Sequence, residues 1–273
     1  MCVPGCHAAV HSHLNRRGLF KAGAAALAAG TLASAASPAR AKGVRVFNRV
    51  VDLSHTLTPD FPTYIPDWAL GVEQLTNFAE NGFNMRRYTM VEHCGTHIDA
   101  PIHFSADGAT LDEIPLDDLV LPLAVIDVRE QAAENSDYQL TPEDLMSWEA
   151  QHGRIPDGAC VAMNSGWAAK APGDEFANRD DEGVMHFPGF HVEAADMLMS
   201  ERGALGMASD TLSLDHGASS TFETHYAWLP SGRWGVECIA GLDDVPPVGA
   251  TVVVAAPKVG GATGANSRIM ALV

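Results

Sequence analysis

The sequence predicts an α/β domain built on a mixed β-sheet. Short apolar runs rich in β-forming residues recur along the chain. Two segments among them carry helix start and stop signals, so strands dominate with a few helices between them. Taken in order, residues 45–53 read as a strand, and 83–92 (FNMRRYTMVE) as another with rough alternation. Residues 121–128 (LPLAVIDV) and 159–163 are short and apolar throughout, the pattern of strands buried on both faces. A helix opens at Thr141, with that residue as N-cap, Pro142 at the first helical position and Glu143 and Asp144 in the first turn. A second helix covers 193–202 and is ended by Gly203. Strands follow at 204–208, 234–239, 251–255 and 268–273, with the glycine-rich 260–264 read as a flexible turn between the last two. Residues 168–189 lose periodicity and collect Pro172, Gly173, Gly183, Pro188 and Gly189, a loop long enough to suggest a pocket wall or lid.

Residues 1–41 read as an address rather than as part of the fold. Arg16 and Arg17 precede an Ala-rich, weakly apolar run over 22–36. That run is shorter than the roughly 20 apolar residues of a membrane span. Ala39-Arg40-Ala41 supplies a small-x-small cleavage signature. Paired arginines ahead of a modest apolar segment mark a twin-arginine export signal, so a periplasmic protein with a single domain over 42–273 is expected. Cys2, Cys6, His7, His11 and His13 lie ahead of the arginine pair and are assigned no role.

Four of the basic residues belong to that leader, leaving 13 against 34 acidic ones, a net charge of about −21. Such a balance argues against nucleic acid and against an anionic membrane surface as partners. Cys94, Cys160 and Cys238 remain, an odd number in a chain long enough to build its own core, so no disulfide framework is implied. G-x-S-x-G, P-loop and G-x-G-x-x-G motifs are absent, which sets serine-hydrolase, NTPase and dinucleotide chemistry aside.

The chemistry concentrates in residues 93–104, HCGTHIDAPIHF. His93 and His97 are four apart, the spacing of helical metal ligands, but Gly95 weakens a helix here and Pro101 pushes Ala100 toward extended geometry. In an extended chain His97 and Asp99 share a face, and His93 can join them across a turn at Gly95-Thr96. Two imidazoles and a carboxylate suit Zn, Mn or Fe as divalent ions and leave room for a water. His103 is then left over as a proton shuttle.

This stretch resembles the signature of the metal-dependent cyclase family, which includes bacterial kynurenine formamidases (arylformamidases) and isatin hydrolases. Further resemblance runs through DLSHTLTPDFPTY, NSGW, HFPGF and SDTLSLD. It implies a swivelling β/β/α fold, a dimer or tetramer, and one or two divalent ions, Zn or Mn. His93, His97 and Asp99 are implied as ligands and His103 as acid/base. Downstream it implies a second pair, His225 and, twelve residues on, Glu237; in a two-metal version Asp99 bridges. The implied activity is hydrolysis of an amide C–N bond, in an N-formyl arylamine such as N-formylkynurenine or, alternatively, in an isatin-type lactam or a lactone. A periplasmic metal-binding protein without turnover is the rival from another class; it would have no use for His103. Phe61, Tyr64, Trp68, Phe104, Trp167 and Phe187 are candidates for an aromatic pocket, and His186 and Asp210 for orienting the substrate.

Overall fold

The computed structural model describes residues 47–273. The leader read at 1–41 and the start of the first expected strand lie outside the described residues. Thirteen strands are present among the described residues: β1 (Val50–Asp52), β2 (Gly71–Thr76), β3 (Met85–Thr89), β4 (His97–Asp99), β5 (Val120–Asp127), β6 (Gln139–Leu140), β7 (Cys160–Asn164), β8 (Gly189–Phe190), β9 (Gly206–Ser209), β10 (Trp234–Glu237), β11 (Thr251–Ala255), β12 (Gly264–Asn266) and β13 (Arg268–Leu272).

Nine of them form one sheet in the order β1-β13-β11-β5-β7-β9-β10-β4-β12. The centre, β5-β7-β9-β10, is parallel, and both flanks are antiparallel. The mixed sheet expected from the sequence is therefore observed, and its parallel centre is buried on both faces. Leu121, Leu123 and Val125 enter one apolar core and Ala124 and Ile126 the other, the period-2 alternation of a strand covered on both sides. Val51 and Ile269 from one end of the sheet share a core with Ile98 and Ala265 from the other, so the sheet curls on itself.

Helices Pro142–His152 and Val192–Ser200 cover the second face through Leu145, Trp148, Ala194 and Leu198. The first begins as the sequence requires. Thr141 accepts from the Asp144 N–H, and the Asp144 carboxylate accepts from the Thr141 N–H, a reciprocal cap. The second, expected to run to 202, ends at Ser200, with Glu201 as its C-cap donating its N–H to the Met197 carbonyl; Arg202 beyond it pairs with Glu149 at 2.8 Å.

Several elements differ from expectation, among them the short helices Arg129–Glu134 and Glu223–Trp228 and the two-residue strands β6 and β8, which the sequence pattern does not announce. β2 pairs with β3 in a separate hairpin, where only the second strand was read. The catalytic-looking stretch contains β4, too short to register as a strand between Gly95 and Pro101. Gly264, read as part of a flexible turn, begins β12 and pairs opposite Asp99.

Candidate metal centre

The sheet register assembles the site. β4 lies between β10 and β12, with Glu237 and Asn266 opposite His97 and with Gly235 and Gly264 opposite Asp99. A directly opposed pair places side chains on the same face, and the Glu237 carboxylate accordingly sits 3.3 Å from His97 Nε2. Glycine on both sides of Asp99 leaves room for the Leu214 side chain at Gly235 and for the His93 ring at Gly264. A Cβ on Gly264 would lie 2.6 Å from His93 Cε1. Gly95, at φ 65°, supplies the left-handed turn that brings His93 back over β4.

Asp99 is the hub. Its carboxylate lies 2.6 Å from His93 Nδ1, 3.3 Å from His97 Nε2 and 3.6 Å from His225 Nε2. His225 comes from the helix Glu223–Trp228 and meets Glu237 at 3.0 Å. His97 Nδ1 donates to the Gly95 carbonyl at 2.7 Å, and His225 Nδ1 faces the Asp215 carboxylate at 2.5 Å. With Nδ1 donating outward, each ring presents Nε2 to the cluster, the orientation that second-layer partners impose on metal-binding histidines. Asp215 was not singled out from the sequence. Its signal in the sequence is SDTLSLD, which ends on this carboxylate ten residues ahead of His225.

His103, on the single turn Pro101–Phe104, stacks on His93 with ring centroids 3.8 Å apart. Donor atoms of His93, Asp99 and His103 lie within 4.8 Å of one another, and so do those of His97, Asp99 and Glu237. Two triads thus share Asp99. His103, expected beside the metal as a non-ligand, lies as close to Asp99 as a ligand would.

The electrostatics favour a cation. Burial by itself would push the His97 imidazolium down, but Asp99 and Glu237 outweigh that and lift it to about 10. His225 is likewise raised against burial by Asp215, Asp99 and Glu237. Asp99 is held well below the usual carboxylate range: burial opposes this, and His97, His225 and His93 overcome it. His103 goes the other way, with burial pushing it down to about 4, so its ring is neutral at pH 7. His97 Nε2 and Asp99 Oδ2 are buried and have no hydrogen-bond partner. Polar atoms buried without a hydrogen-bond partner are costly. A divalent ion, displacing the His97 proton, would satisfy both, with His93, His97, Asp99, His225 and Glu237 placed to hold it.

The cluster forms the floor of a cavity of about 260 Å³. Of the aromatic candidates, Tyr64, Trp68 and Phe104 line it, joined by Phe222, which sequence reading passed over. Phe61, Trp167, Phe187, His186 and Asp210 are not brought to it. Phe61 packs on His55 and Phe176. Trp167 is buried with its Nε1 donating to the Phe176 carbonyl at 2.8 Å, and Phe187 is buried in the same apolar cluster. His186 bridges Asp137 and Asp180 near the surface. Asp210 is buried and accepts from the Ser165 and Trp167 N–H groups, with burial raising its pKa to about 6. These residues read as pocket-forming because their types suit a pocket; their hydrogen bonds instead fix the loop after β7. That loop does reach the cavity wall at one point, where Arg179 donates to the Tyr64 carbonyl at 2.7 Å.

A family model described as "Putative cyclase" matches residues 51–216. The isatin hydrolase of Roseibium aggregatum is 32% identical over 244 residues, covering 82% of this chain and 91% of that protein. Isatin hydrolase A from Labrenzia aggregata, solved bound to benzyl benzoate, superposes with a TM-score of 0.78 at 36% identity, over 82% of this chain and 93% of that one. An isatin hydrolase bound to the product analogue thioisatinate gives a TM-score of 0.77 at 30% identity, over 82% and 92%.

Proposed function

The chain belongs to the cyclase family of metal-dependent hydrolases, and from that premise we propose that it cleaves the amide C–N bond of a flat, uncharged aromatic amide. The observation that carries this reading is the cavity wall. Aromatic and aliphatic side chains surround the buried His/Asp/Glu cluster, and neither Lys nor Arg is among the lining residues. The N-formylkynurenine expected from the resemblance carries a zwitterionic amino-acid group, whose carboxylate finds neither Lys nor Arg on this wall. A ring amide has no such group. An isatin-type lactam is therefore placed ahead of the N-formyl arylamine, and the relatives named for isatin hydrolysis support that order.

His93, His97, Asp99, His225 and Glu237 would hold the ion, Zn or Mn, as one or two. When bound it supplies Lewis-acid polarisation of a carbonyl and lowers the pKa of a coordinated water. The chain supplies the rest. Trp68, Phe104 and Phe222 clamp a planar ring and exclude bulk water. Neutral His103, packed between His93 and Phe104, takes up a proton as the water attacks and returns it to the departing nitrogen. Asp215 keeps the His225 Nε2 lone pair on the cluster. Export by the leader at 1–41 would place this activity in the periplasm, with the chain as a dimer or tetramer. No helix among the described residues is long and apolar enough to cross a membrane.

The test is a rate panel with metal-loaded protein on isatin, N-formylkynurenine and simple lactones. The reading expects the lactam to be opened with the highest kcat/KM. A preference for the N-formyl substrate would overturn the order proposed here.

A further inference from the structure

Tyr64 sits on the cavity wall, and its phenol oxygen has no hydrogen-bond partner among the described residues. The residue is held in place by other atoms. Arg179 binds its carbonyl at 2.7 Å, and its ring tilts against Phe222 at 6.0 Å. Phe222 is itself constrained. It opens the helix bearing His225 at φ 52° and ψ 44°, a left-handed conformation that bulky residues rarely adopt, and its ring also meets Phe104 at 5.8 Å. Strain at a bulky residue beside a reactive cluster is a sign of a position fixed for function.

The neighbouring acceptors are already engaged. Glu237 Oε1 receives the Leu214 N–H and lies 3.0 Å from His225 Nε2, and Oε2 lies against His97. Thr63, the next hydroxyl along the wall, donates to the Ile65 carbonyl at 2.7 Å. Burial, together with the Glu237 charge, raises the Tyr64 pKa, so the phenol keeps its proton and remains a donor. A donor with no protein partner, on a residue that lines a largely apolar cavity, is the type of group that fixes a ligand's orientation.

We propose that the Tyr64 hydroxyl donates to a second oxygen of the substrate, adjacent to the attacked carbonyl, and so selects aryl amides that carry such an acceptor. This inference rests on the hydrolase reading above. Substrates lacking the second oxygen leave the donor stranded and are discriminated against, because a polar group buried without a partner opposes binding.

The experiment compares wild type with Tyr64→Phe, both metal-loaded, on two compounds: a benzo-fused lactam with a neighbouring ring carbonyl, and the same ring with a methylene in its place. Binding is followed in parallel by quenching of tryptophan fluorescence, since Trp68 lines the cavity. Tyr64→Phe is expected to lower kcat/KM for the dicarbonyl compound by about 3- to 12-fold. Most of that loss should fall in KM and be matched in the binding constant. The methylene analogue should bind both proteins alike, with metal content unchanged. Equal losses on both compounds, or none on either, overturn the assignment while leaving the hydrolase reading intact if wild type is active. A wild-type protein that neither turns over nor binds either compound overturns both.

Discussion

Replacing Asp215 by Asn tests whether the layer behind the ligands tunes the metal. The Asp215 carboxylate accepts from the Thr224 N–H at 2.8 Å, the His225 N–H at 3.2 Å and His225 Nδ1 at 2.5 Å. Asparagine keeps an oxygen for Thr224 but turns an NH2 toward His225, donor against donor. The imidazole relieves this by moving its proton from Nδ1 to Nε2, which then points an N–H at Glu237, 3.0 Å away. That removes the lone pair a metal needs. Loss of such a partner costs about 10- to 100-fold in metal affinity, and the stranded His225 backbone N–H adds about 1–3 kcal/mol of destabilisation. Competition against a chromophoric chelator measures the first and chemical denaturation with metal removed the second. His225→Ala serves as the reference for losing the ligand outright. A D215N protein with parental affinity, beside an H225A protein that has lost it, would refute the idea that Asp215 sets the His225 tautomer.

Other outcomes follow from the same geometry. His103→Ala should lower kcat by about 100- to 10,000-fold with metal content unchanged; full activity would remove its acid/base role. Gly264→Ala places a methyl 2.6 Å from His93 and 2.5 Å from the Ile98 carbonyl, so thermal unfolding should show a loss of about 1–3 kcal/mol together with weaker metal binding. Metal and protons compete for His97, which is protonated below about 10 when no ion is bound. Affinity should therefore rise with pH between 6 and 9, by up to about tenfold per pH unit for each proton displaced; a flat profile would contradict this. The metal-free protein should show a trend of its own. A histidine whose pKa rises on folding stabilises the fold below its unfolded value near 6.5, and that contribution fades as pH climbs toward 10. Urea midpoints across that range check the sign.

Much of this was legible before any coordinates. The apolar runs of β5 and β7 are buried on both faces because nothing polar interrupts them, and Thr141-Pro142 can hardly be read as anything but a helix start. The convergence of His97 and Asp99 follows from period-2 geometry alone. What escaped reading depends on contacts between distant segments. Glu237 reaches His97 through the β10–β4 register, Asp215 is ten residues from the histidine it holds, and the conformation of Phe222 is set by packing rather than by its own preference. Composition misled where residue type stood in for position. Trp167 and Asp210 suit a pocket, yet buried hydrogen bonds tie both into the loop after β7.

The central claim is that the buried cluster around Asp99 works by holding a divalent ion. It is tested most directly by stripping the purified protein with a chelator and following lactam hydrolysis as Mn or Zn is titrated back. Activity should vanish with the ion and return in proportion to one or two equivalents per chain. Full activity in the stripped protein, with no ion retained by elemental analysis, would contradict the account.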